Sequence, residues 1–180
     1  MSTLQVDTIQ GKTTAGTVAM PAGMIIQIVQ TTPTTTSHVT VASSSLVEAS
    51  TTMRVSITPK FATSLLRFNF QCLTGGRNTS GIMSYKFFDI TNSANVGSSS
   101  LGTGSSRTFV NASMRTADSD GNDRHHLNMT AYQSASNTNA RTYGIYASIE
   151  LNTMDFNMTA TDNAGCSYAP PVFTVEEIAQ

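Results

Sequence analysis

Three carboxylates crowd into the run Asp118-Ser119-Asp120-Gly121-Asn122-Asp123, and side chains spaced two and three apart in this way can hold an oxygen-seeking cation such as calcium. The glycine falls one place too early for a helix-loop-helix calcium loop, and no bidentate Glu follows at the right distance. A solvated turn built on Asp-Gly is the favoured reading. His125 and His126 are adjacent, so on a strand they point to opposite faces and one chain cannot close both on a single ion. Three chains around an axis could present three equivalent imidazoles, against which stands the ordinary strand-edge histidine. A serine nucleophile would need a Gly-x-Ser-x-Gly elbow, which is absent, and the three histidines lack a recognisable partner motif. Glu150 and Asp155 lie on the polar phases of their segments and could pair for sugar hydrolysis, but nothing else in the sequence supports it. Gly11-Lys12-Thr13 fails as a phosphate loop because Val6 stands where the first glycine is required. The expectation is a non-enzyme with no metal and no cofactor.

The elements that would have to position any such group are strands. Met53 to Gly76 reads as two of them, with Met53, Val55 and Ile57 alternating against Arg54, Ser56 and Thr58. Leu66, Phe68, Phe70 and Cys72 then alternate against Arg67, Asn69 and Gln71. A period of two over both halves means a sheet with one dry and one wet face. Pro59 removes a ladder donor and ends the first strand. Further strands are expected at His38 to Ala42, Ile82 to Ile90, Thr108 to Arg115, Leu127 to Gln133, Tyr143 to Leu151, Met154 to Ala160 and Val172 to Ile178, with Ser43 to Thr52 a polar connector and Ser134 to Ala140 a hairpin loop. Nine or ten short strands broken by Gly, Asn, Ser and Pro, with no amphipathic helix, indicate an all-β fold, a jelly-roll-like antiparallel β-sandwich.

Two domains of organisation follow. Residues 1–23 carry Leu4, Val6, Ile9, Val18 and Met20 too far apart to close a core, so this segment is expected to be an extended N-terminal arm that anchors on something else. Residues 24–180 form the sandwich. Met24 to Gln30 is apolar on both phases, and so is Ile82 to Ile90, so Met24, Ile26, Ile28, Met83, Tyr85 and Phe87 are the expected subunit interface. Asn92 to Ser106 is rich in Ser, Gly and Asn and is expected to be a long surface loop, where recognition commonly resides. Asn95, Ser99 and Leu101, with Asn137 and Asn139 of the later loop, are the candidate receptor-contacting residues. Tyr85, Tyr132, Tyr143, Tyr146 and Tyr168 could stack on sugar rings, though most are better explained as core or interface aromatics.

Composition narrows the function classes. With 12% charged residues and a net charge of −1, the chain offers no basic field for nucleic acid. No apolar run approaches membrane-spanning length, and the opening residues lack a basic region followed by an apolar core, so a soluble chain made in the cytosol is expected, without membrane insertion. Cys72 continues the apolar phase of its strand and reads as a buried thiol, with Cys166 far away in an unlike context.

Both ends of the chain carry familiar motifs. Ser2-Thr3-Leu4-Gln5-Val6-Asp7-Thr8-Ile9-Gln10 followed by Pro21-Ala22-Gly23, Val55-Ser56-Ile57-Thr58-Pro59 with Ser64-Leu65-Leu66, Thr142-Tyr143, and Phe173-Thr174-Val175-Glu176-Glu177-Ile178 together resemble small virion structural proteins of tailed bacteriophages, particularly those of cyanobacteria and marine bacteria. The resemblance implies a fibre-like or decoration protein located on the virion, commonly a homotrimer with a jelly-roll-like head and an N-terminal arm fixed to other virion proteins. The chain departs from it in lacking tryptophan and in placing Glu176 within the final strand. Three roles follow as expectations: a tail fibre or baseplate-associated component that attaches to host-surface glycan, a capsid decoration or head-fibre protein that stabilises the coat, and, disfavoured by chain length, a glycan depolymerase.

Overall fold

The computed structural model describes residues 21–33, 39–77, 81–97, 110–115, 125–156 and 170–180. Among them are twelve strands: β1 (Ile25–Thr31), β2 (Val39–Val41), β3 (Val47–Glu48), β4 (Val55–Ile57), β5 (Leu65–Arg77), β6 (Ile82–Asp89), β7 (Ala94–Asn95), β8 (Ala112–Arg115), β9 (His125–Ser134), β10 (Arg141–Ile149), β11 (Thr153–Phe156) and β12 (Val172–Ile178). They form two antiparallel sheets. In the first, β5 lies between β9 on one side and β12 on the other, β1 pairs β12, and β11 continues along β5 beyond β12 with β2 outside it. In the second, β10 is flanked by β3 and β4 on one side and by β6 on the other, and β6 carries β7 and β8 along its far edge.

The all-β sandwich follows from the alternation. Leu66, Phe68, Phe70 and Cys72 of β5 face inward with Val55 and Ile57 of β4, Met83, Tyr85 and Phe87 of β6, Tyr143, Ile145, Ala147 and Ile149 of β10, and Phe173 and Val175 of β12, in one continuous core. Aromatic rings tie the two layers together: Phe68 meets Tyr143 edge-on at 4.7 Å, Tyr85 meets Phe156 at 5.7 Å, and Phe87 stacks on Phe173 at 5.5 Å. Each such pair contributes about 0.5–1.5 kcal/mol beyond the area it buries.

Several expectations are corrected. Met83, Tyr85 and Phe87 are 0% exposed: they belong to the chain's own core and leave no surface for a neighbouring subunit. The second apolar phase of that segment, Ile82, Phe88 and Ile90, lies on the outer face and is half-buried. Asn92 to Ser106 does not begin as an open loop, because Ala94 and Asn95 pair with β6 as β7 and Val96 is fully buried. Ser134 to Ala140 is not a hairpin loop: β9 belongs to the first sheet and β10 to the second, so the turn crosses between layers. Val47 and Glu48, read as connector, pair with β10 as β3. Met53 closes a single 3-10 turn that Ser50 caps, with the Thr52 amide donating to Ser50 Oγ at 3.2 Å. Among the described residues β1 is an edge strand whose side chains are exposed or half-buried.

Candidate interaction surface

The outer face of the first sheet is built in rows by strand register. One row runs Ile25, Ile178, Leu65, Ser134 across β1, β12, β5 and β9, the next Ile28, Glu176, Arg67, Tyr132, and the third Gln30, Thr174, Asn69, Thr130. These are the phases opposite Leu66, Phe68 and Phe70, so the sequence that fills the core also fixes what the face presents. Met24 and Ile25 are each 43% exposed, Ile28 58% and Tyr132 50%, which gathers aliphatic surface at the β1 corner and a tyrosine on the far strand. Between them the Arg67 Nε donates to Glu176 Oε2 at 2.6 Å. This pair neutralises the only two formal charges in the three rows, and no net field remains to repel a neighbour.

The β1 edge is held by side chains instead of a ladder. Gln27 Nε2 donates to the Thr58 carbonyl at 2.8 Å and to Glu177 Oε2 at 2.6 Å, and Thr31 Oγ1 donates to the Arg54 carbonyl at 2.8 Å, joining β1 to the chain around β4. Glu177 is the anchor of this corner. Fully buried on the core phase of β12, it accepts the Lys60 amide at 2.8 and 2.9 Å and the Phe61 amide at 3.0 Å. Burial alone would push the carboxyl up, but those amides and the Gln27 side chain outweigh it and hold Glu177 below the usual carboxylate range. It thereby pins the Pro59 to Phe61 connector over the end of the sandwich. The residue was not singled out from sequence, yet the signal was present: two adjacent glutamates on an alternating strand must send one toward the core.

The outer face of the second sheet is interlocked. Lys86 Nζ sits 4.7 Å from the Phe88 ring centre and 5.8 Å from that of Tyr146, and it donates to Asn95 Oδ1 at 2.8 Å. Phe88 and Tyr146 pack at 4.4 Å. Partial burial pulls the Lys86 ammonium below its ordinary pKa. Arg54 reaches Glu48 through Nε at 2.6 Å and Nη2 at 2.7 Å. Ile90 lies over Gly144, where a Cβ would come within 2.9 Å of Ile90 Cδ1 and 3.3 Å of Glu48 Oε1.

The remaining predicted residues fall in separate places. Met24 and Ile28 share the β1 corner, with Ile26 half-buried between them beside a register shift. Asn95 is half-buried on β7 and holds Lys86. Asn137 and Asn139 are exposed on the turn between β9 and β10, where Asn137 Oδ1 accepts the Asn139 amide at 3.0 Å, the Ala135 carbonyl accepts the Asn137 amide at 2.7 Å and also takes a bond from Arg141, and Ser136 adopts φ of +60°. That turn is short and internally bonded. Glu150 and Asp155 do not form a carboxylate pair on one face: Glu150 is exposed past the end of β10 and accepts the Ile82 amide at 3.2 Å, whereas Asp155 is buried in β11 and accepts Thr40 Oγ1 at 2.5 Å. His125 is half-buried and His126 exposed, as opposite phases of one strand require. Tyr85 and Tyr143 are core; Tyr132 and Tyr146 are the tyrosines on outer faces. Cys72 is buried, and burial pushes its thiol pKa up, which disfavours the thiolate. Leu4, Val6, Ile9, Val18, Met20, Ser99, Leu101, Tyr168, Cys166 and the Asp118, Asp120, Asp123 turn lie outside the described residues. Among the described residues no group of three or more His, Cys, Asp or Glu is placed to hold a metal ion, and no helix is long and apolar enough to cross a membrane. A scan against protein-family models gave no match, and a search of curated proteins gave none either.

Proposed function

We propose that the chain is a structural, non-catalytic component of a bacteriophage virion, a homotrimer at a tail fibre or baseplate. In this reading residues 1–23 attach it to other virion proteins, and turns such as Asn137 to Asn139 contact host-surface glycan. The observation that carries it is the exposed apolar pair Ile25 and Ile28 on the outer face of the first sheet, with Met24 exposed beside them where the chain enters β1. A lone subunit leaves that corner in water, and sister copies around an axis would cover it. Three weak surface contacts on one particle then act together as avidity. The strand order gives further support. β1, β12, β5 and β9 in one layer facing β4, β10, β6 and β8 in the other fit the jelly-roll-like reading of the sandwich, an architecture that capsid domains use and that would equally serve a capsid decoration protein that clamps the coat.

Deleting residues 1–20 is expected to leave a soluble trimer that no longer joins particles, measured by sedimentation of the variant and by its absence from purified virions. Assembly into particles without those residues would overturn the attachment role. Imaging particles that carry labelled protein separates tail from head: label on the capsid shell favours decoration, label at the tail favours the fibre or baseplate.

A further inference from the structure

The two edges of the first sheet are built differently, and the difference points to a second contact. At one edge β1 is seven residues long, carries a register shift between Ile25 and Gln27, and is tied by Gln27 and Thr31 to the carbonyls of Thr58 and Arg54. A bulged, tethered edge is a poor template for another strand. At the other edge β9 runs for ten residues, His125 to Ser134, in unbroken register with β5. Among the described residues β5 is its sole ladder partner. Its sequence, HHLNMTAYQS, contains none of the Lys, Glu, Asp, Pro or Gly residues by which edges are usually blunted. The remaining edge strands are two to four residues long: β2, β3, β4, β7 and β8.

We infer that β9 pairs antiparallel with β9 of a second copy about a two-fold axis, so that the first sheet continues from one subunit into the next. The axis stands perpendicular to the sheet, because only that keeps Leu127, Met129 and Ala131 on the core side of both copies while the wet phase stays outside. Opposed residues then share parity, and the central register sets Thr130 against Thr130, Asn128 against Tyr132 and His126 against Ser134. None of these pairs opposes like formal charges, and threonine facing threonine is a favourable cross-strand pair. The occupant is a second copy, not an unrelated strand, because the edge is self-complementary in this register. The contact lies on the edge opposite β1, so it leaves the apolar corner free for the three-fold seam, and the two operators close an assembly of six where the two-fold axis meets the three-fold axis at a right angle. It stands without that seam, in which case it joins two subunits.

Across an antiparallel pair, opposed Cα atoms lie about 4.5–5.5 Å apart, inside the window of about 4.4–6.8 Å that a disulfide spans. Thr130→Cys in the full-length chain is therefore expected to give a disulfide-linked dimer under mild oxidation, seen on a non-reducing gel and reversed by reductant. Thr174→Cys, on the same outer face but on β12, and the unsubstituted chain are expected to stay unlinked. A second variant, Thr130→Lys, faces two ammonium groups across the axis and is expected to halve the mass measured by sedimentation while leaving the circular dichroism unchanged. Thr130→Cys no more linked than Thr174→Cys, or an unchanged mass for Thr130→Lys, would overturn the pairing. Linkage with loss of the three-subunit mass would sink the seam and keep this contact.

Discussion

The two outer faces of the sandwich come from strands with the same alternation, yet they meet solvent in opposite ways. On the second sheet the outward side chains lock onto one another: Lys86 lies over Phe88 and Tyr146, Arg54 clamps Glu48, Ile90 fills the space over Gly144, and even the outward serines Ser84 and Ser148 are buried. On the first sheet Ile25 and Ile28 stand in water at one corner and Tyr132 at the other, with only the Arg67 and Glu176 pair between them. The lesson is that an apolar outward phase does not by itself mark an interface. The residues of β6 that looked like a seam are consumed by the core or by the Lys86 cluster, and of the two apolar segments expected at a subunit contact the one at β1 keeps exposed side chains.

That contrast can be attacked from the inside outward. Phe87→Ala is expected to have the largest effect, a loss of about 3–5 kcal/mol, because the ring stacks on Phe173 and sits near Phe68 between the sheets. Chemical denaturation measures it, and a stability near that of the unsubstituted chain with altered mass would restore Phe87 as a contact residue. Glu177→Ala comes next, about 2 kcal/mol, since it removes the charged acceptor of the part-buried amides of Lys60 and Phe61. The same residue sets a pH dependence. Its carboxyl is held below its ordinary value in the fold, so the stabilisation is complete above the unfolded pKa of about 4.3 and disappears as pH falls through the lower folded value. Glu177→Gln is expected to flatten denaturation midpoints over that acid window, whereas an unchanged slope would show that another group is responsible.

Gly144→Ala probes the closed face. The added methyl meets Ile90 Cδ1, the free end of a side chain that can turn aside, so the expected loss is about 1 kcal/mol. Ile28→Ser probes the open face and is expected to change the stability of a single subunit by less than about 0.5 kcal/mol while weakening association. A reversal of these two results, with Gly144→Ala altering the mass and Ile28→Ser altering the fold, would exchange the roles of the faces.

Much of this architecture was legible in the chain because alternation reports burial: the inward sets of β5 and, Arg141 aside, β10 are the apolar phases of their sequences, whereas β12 sends Glu177 inward beside Phe173 and Val175. What alternation cannot report is which layer a strand joins. The Ser134 to Ala140 segment looks like a hairpin loop because it is short and polar, but Arg141 crosses to the second sheet and bonds back to the Ala135 carbonyl. Nor does it separate core from seam when both phases are apolar, as on β6, where the decision rests with Gly144 and Tyr146 on the neighbouring strand. Short pairings such as Ala94 and Asn95 fall below any periodic signal, and the Asx-type bonds from Asn92 to Asp89 that turn the chain toward them are visible only in three dimensions. Met24 and Ile28 stand out in the sequence because both phases of their segment are apolar, and among the described residues no strand lies outside β1.

Sedimentation of the full-length chain and of Ile28→Asp, over a wide concentration range, tests the open corner most directly. The account predicts an assembly whose subunit number is a multiple of three and which drops by that factor when the carboxylate enters the corner. A single-subunit mass at every concentration, or an assembly indifferent to Ile28→Asp, would contradict it.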